Sequence, residues 1–101
     1  MYLEKVEELS YYISKRYPEP TGRLEVNKAK LKSYQWYLAN EILLRLHDNI
    51  SQDPIDVIDN MLLATEKTLT MVTTIESKFL YSLKRSILEN MKNYLKGDWY
   101  V

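Results

Sequence analysis

Between about Lys28 and Ile50 the chain carries apolar side chains on almost every side of a helix. Leu31, Tyr34, Leu38, Ile42 and Leu46 form one stripe at helical spacing. Trp36, Leu43 and Ile50 form a second, ~120° away at 3.6 residues per turn, and Tyr37 with Leu44 begins a third. One neighbouring helix covers one stripe. A helix of this kind must therefore be the centre of a bundle, or be completed by another molecule.

The chain has 101 residues, enough for one domain (1–101) with a single core and too few for a core plus a deep, walled active site. No convincing period-two alternation competes with the helical periodicity, so the expected class is all-α, a three- or four-helix bundle. Helix 1 is expected at about 2–16, with Leu3, Val6, Leu9, Ile13 and Tyr17 on one face and Glu4, Glu7 and Glu8 outward. Pro18, Pro20 and Gly22 end it, because each proline biases the preceding residue away from helix. Asn27 is a candidate cap for helix 2, at about 28–50. Asp53-Pro54 then opens the next helix, the aspartate capping free amides and the proline occupying the first position, where its missing amide costs nothing.

The segment 54–96 can be read in two ways. Ile55, Ile58, Leu62, Thr65, Leu69 and Val72 lead almost in phase to Leu80, Leu83, Ile87, Met91 and Tyr94, with no glycine or proline between Pro54 and Lys96. That favours one long or kinked helix, which unbroken would be ~65 Å at 1.5 Å per residue. Against it, Thr73-Thr-Ile-Glu76 has the pattern of a capping box, and the β-branched cluster from Val72 to Ile75 weakens helicity. A tight turn without Gly, Asn or Pro would be unusual chemistry, so the expectation leans to continuity. Gly97 ends the helix, leaving Asp98-Trp99-Tyr100-Val101 as a short apolar tail.

Nine tyrosines, two tryptophans and one phenylalanine make the aromatic content amphipathic, which suits half-buried and interfacial places. There are no cysteines, so disulfides and thiolate metal sites are excluded and a cytoplasmic location is the default expectation. No apolar run can span a membrane, and Met1-Tyr-Leu-Glu-Lys-Val lacks the features of a signal peptide. The formal net charge is zero but segregated: six basic and two acidic residues from Lys15 to Lys32, one and six from Glu41 to Glu66, six and two from Lys67 to Lys96. Such blocks can satisfy each other within a bundle or across a dimer. Nucleic-acid binding, which normally shows a basic total, is an alternative but is not favoured.

No motif designates catalytic, cofactor-binding or metal-ligating residues. His47 is the sole histidine and Asp48, its neighbour, points ~100° away on a helix. Asp53, Asp56 and Asp59, with Glu4, Glu7 and Glu8, could serve a Mg²⁺-dependent phosphohydrolase of all-α type only if they converged, and helix-start aspartates are explained by capping and the dipole. Lys78, Lys84, Arg85, Lys92 and Lys96 on the last helix, and Lys28, Lys30 and Lys32 on helix 2, read as solvated faces. Gly-rich phosphate loops and nucleophile elbows are missing.

Tyr81, Leu88 and Leu95 form a heptad-spaced seam matching Trp36, Leu43 and Ile50. With Trp99 and Tyr100 these eight residues make the candidate interaction surface. The expectation is a protein-interaction or adaptor module acting by binding as a homodimer or with another protein, without a cofactor. Small size and abundant Lys, Asn and Tyr point to a bacterial or phage-like accessory setting. A toxin-neutralising, immunity-type protein is a further alternative on architecture alone.

Overall fold

The computed structural model describes residues 1–20 and 26–97, with the backbone alone for 26–29. Four helices follow one another: α1 (Leu3–Arg16), α2 (Val26–His47), α3 (Pro54–Met71) and α4 (Ile75–Lys96), with no strand among the described residues. The all-α bundle expected from the periodicity is the observed architecture, in its four-helix form.

α1 buries Val6, Leu9 and Ile13, and Tyr17 continues the same face beyond its end. Tyr17 leaves the helix with φ −129° and ψ 69°, outside the helical region that Pro18 disfavours for the residue before it. The Tyr2 N–H donates to the Ile50 carbonyl at 2.8 Å, tying the start of α1 to the turn after α2. α2 starts at Val26, so Asn27 lies inside the first turn and is not its cap. It ends at His47, three residues before the expected Ile50, and the Asn49 side-chain amide donates to the Arg45 carbonyl at 2.7 Å.

The leaning towards one continuous helix over 54–96 is overturned: the chain breaks at Val72–Thr74. Val72 (φ −75°, ψ 142°) and Thr74 (φ −85°, ψ 149°) are both extended, and the Thr74 hydroxyl accepts from the Ser77 N–H at 3.1 Å. Glycine or asparagine is needed where a turn requires positive φ. This one does not: Gly97, at the end of α4, is the only described residue with positive φ. β-branched residues favour the extended region, so Val72, Thr73 and Thr74 suit a break built from it. The cap is Thr74 rather than Thr73 of the expected box. Asp53 behaves as expected, its Oδ1 accepting from the Ile55 N–H at 2.9 Å with Pro54 at the first helical position.

The centre of the bundle is α4 and not α2. α4 packs on each of the other three helices. Ile87, Leu88 and Met91 are fully buried, and Leu83, Tyr94 and Leu95 pack against the core. Tyr94 stacks on Tyr12 of α1, with ring centroids 4.3 Å apart, while Asn90 donates to the Tyr17 hydroxyl at 2.6 Å. On the α3 side, Lys92 reaches Asp59 at 2.7 Å. α2 contributes Ala39, Ile42, Leu43 and Leu46 to the core and leaves its third stripe, Tyr37 and Leu44, in solvent.

Leu88→Ala should lower the unfolding free energy by about 2–5 kcal/mol in urea titrations, because it opens a cavity at the hub. Leu44→Ala, on the exposed face, should stay within about 0.5 kcal/mol of wild type. Thr74→Ala should cost about 1 kcal/mol through loss of the cap.

Candidate functional site

The expected interaction surface is divided by the structure. Leu88, 0% exposed, and Leu43, 8% exposed, lie in the core, so neither can meet a partner without unfolding. Leu88 is one turn before Lys92 on the same side of α4, and Lys92 reaches α3, so this seam is turned inward. Leu95 packs against the core. Ile50 is half-buried, its carbonyl taken by Tyr2. Trp36 is half-buried in grooves that border α2, and Tyr81 is half-buried on α4 where it faces α2 and α3. Trp99 and Tyr100 lie outside the described residues.

A different apolar surface stands in its place. Leu31 and Tyr34 from α2 meet Ile75 and Phe79 from the start of α4 around a groove of about 570 Å³, and Ile75 is 87% exposed. Tyr34 and Phe79 approach edge to face with centroids 6.3 Å apart. Tyr34 also borders the adjoining groove with Trp36, Tyr37 and Pro20, so the apolar surface runs on along α2. At its edge Lys30 sits over the Tyr34 ring, 5.7 Å from the centroid, and 4.0 Å from Glu76. The Tyr34 hydroxyl donates to Glu76 at 3.4 Å. These are exposed, solvent-screened pairs, worth little to stability but enough to give the patch one cation and one anion.

The break at Val72–Thr74 creates this surface. It starts α4 beside the first half of α2, so Ile75 and Phe79 lie next to Leu31 and Tyr34. A continuous helix could not have placed them there, which is why sequence reasoning put Leu31 and Tyr34 in the core stripe and missed Ile75 and Phe79. The signal that could have found them was the capping pattern at 73–76 together with Phe79, the single phenylalanine.

The chemical candidates stay dispersed. His47 Nε2 is 3.4 Å from the Ser10 hydroxyl, but that hydroxyl is spent on the Val6 carbonyl at 2.9 Å, and no carboxylate bonds His47 among the described residues. The pair lacks the orienting third group of a nucleophilic site. Asp53 caps α3, Asp59 pairs with Lys92, and Asp56, Glu4, Glu7 and Glu8 are exposed. No group of three carboxylates or imidazoles able to hold a metal forms among the described residues. Lys78, Arg85 and Lys96 lie on the outer side of α4 with Glu89 among them, a mixed-charge face, and Lys84 is half-buried beside α2 and α3. No helix among the described residues is long and apolar enough to cross a membrane.

No family model matches the chain, no curated protein matches it, and no solved structure matches its fold.

The placement of Leu43 and Ile75 yields a direct contrast. Leu43→Glu should remove cooperative folding or lower the melting temperature by more than about 10 °C, since a charge is forced into the core. Ile75→Glu should leave helicity by circular dichroism unchanged, because nothing covers Ile75 within the monomer.

Proposed function

We propose that the protein is a helical interaction module that acts by binding, and that its partner is a second copy of the chain. The observation that carries this reading is the contiguous apolar patch formed by exposed Leu31, Tyr37, Ile75 and Phe79 around half-buried Tyr34. Folded monomers scatter single apolar residues over their surface, whereas contiguous patches with a polar rim mark association sites. Its aromatic content is of the kind enriched at interfaces.

The charge arrangement favours a copy of the same chain. A two-fold interface must be complementary to itself. Lys30 and Glu76 lie 4.0 Å apart at the rim, so two patches related by a two-fold axis can exchange partners, Lys30 of each copy facing Glu76 of the other. A strongly acidic or basic partner would leave one of these charges opposed by its like. The seam through Leu43 and Leu88 is not part of this proposal. The absence of cysteine fits a cytoplasmic setting.

Sedimentation equilibrium tests the reading. The wild type is expected to dimerise reversibly at micromolar to high-micromolar concentration, and Ile75→Glu or Phe79→Glu to give a folded monomer. Leu63→Glu, at an exposed leucine of α3 outside the patch, should leave the dimer intact. A wild type that stays monomeric at the highest soluble concentration would refute self-association, as would a dimer insensitive to both patch variants.

A further inference from the structure

A second site lies where α2 and α3 diverge over α4. Their gap is a cleft of about 420 Å³, bordered by the end of α2, the turn after it, one side of α3, and Tyr81 and Lys84 of α4. Its lining has two cations, Arg45 and Lys84, and no carboxylate. Neither cation forms an ion pair among the described residues, although this chain has as many acidic as basic side chains. Glu41 lines the adjoining groove that shares Tyr81 and Lys84, and it pairs with neither cation.

Of the six neutral polar side chains in the lining, Asn49 bonds the Arg45 carbonyl and Thr68 that of Ala64, and the other four are uncommitted. Gln52, Asn60, Thr65 and Tyr81 make no side-chain hydrogen bond among the described residues. Thr65 is the informative one. A threonine inside a helix ordinarily returns its hydroxyl to the carbonyl four residues back, as Thr68 does to Ala64 at 2.9 Å. Thr65 is 3% exposed and makes no such bond, yet no fully buried side-chain polar atom lacks a partner among the described residues. Its hydroxyl therefore opens on the cleft. The hydroxyl keeps accessible surface and has no protein partner, so it is available to a ligand atom in the cleft.

We propose that the cleft binds a small phosphate ester, its oxyanion held by Arg45 and Lys84 and its polar remainder by Thr65, Asn60, Gln52 and Tyr81. Guanidinium and ammonium donors favour a phosphate through charge-assisted hydrogen bonds. The volume exceeds that of the phosphate group and falls within the range of small-ligand sites. The exposed face of α4, with Lys78 and Arg85, is not part of the site. The proposal is independent of dimerisation.

Amide chemical shifts of the 101-residue chain are to be followed during titration with glycerol 3-phosphate and with inorganic phosphate, against sodium chloride at equal ionic strength. Saturable shifts confined to residues around Arg45, Asn60, Thr65 and Lys84 are expected for both phosphates. Arg45→Gln and Lys84→Gln should each weaken binding about tenfold or more. Thr65→Val, of similar shape, should weaken glycerol 3-phosphate with circular dichroism unchanged, and Lys78→Gln should have no effect. Shifts reproduced by chloride, spread over the outer lysines, or retained in the Arg45→Gln/Lys84→Gln double variant would overturn the proposal. So would a single-stranded oligonucleotide that binds more tightly than either phosphate and loses affinity on Lys78→Gln, since the anion affinity would then belong to the outer face.

Discussion

Three helices packed around α4 are the constraint on which the rest of the molecule depends. Ile87, Leu88 and Met91 are fully buried among the other helices, and burying each large side chain contributes about 1.5–3 kcal/mol. The polar contacts that fix the neighbours' positions also converge on α4. Asn90 donates to Tyr17 beyond α1, Tyr94 stacks on Tyr12, and Lys92 meets Asp59 of α3. Once α4 takes the centre, α2 is left at the periphery with one apolar stripe too many, and Tyr37 and Leu44 stay in water.

The three residues Val72, Thr73 and Thr74 determine where the proposed interface can form. Had the helix continued, the second half of 54–96 would have run away from the first and needed another subunit to cover it. The break instead folds α4 back along α3, supplying intramolecularly the cover that a dimer would otherwise provide. The cost of that solution appears at the start of α4, where Ile75 and Phe79 belong to the first turns of a helix whose core residues begin further along. Beside Leu31 and Tyr34 they form the patch from which association is argued. Fold and candidate interface thus share one local cause.

Much of this was legible in the residues. Val6, Leu9 and Ile13 of α1, the Asp53-Pro54 start of α3 and the Gly97 stop of α4 are local signals with local mechanisms, and each stands where the pattern placed it. The central helix was not legible, because periodicity counts apolar faces but does not say which helix will be surrounded. α2 displays more apolar stripes than α4, yet α4 is the one in contact with all the others. The heptad seams through Leu43 and Leu88 were real as patterns and misassigned as surface: an inward-facing heptad and an outward-facing one have the same spacing. The turn at 72–74 was obscured by the assumption that tight turns need left-handed residues, which holds only when positive φ is required.

The two proposed sites differ in what their surroundings can settle. The patch around Tyr34 is apolar at its centre and carries one cation and one anion at its rim, so in the proposed dimer a two-fold axis would bring Lys30 of each copy to Glu76 of the other. The cleft around Thr65 is polar, has two cations and no carboxylate, and a copy of itself would oppose like charges. Under the proposed self-association the first surface is the one used, and like charges exclude the second. That exclusion would keep the cleft open to solvent in a dimer built on the patch, so the fold can carry an assembly face and a ligand cleft on one small core without either occupying the other.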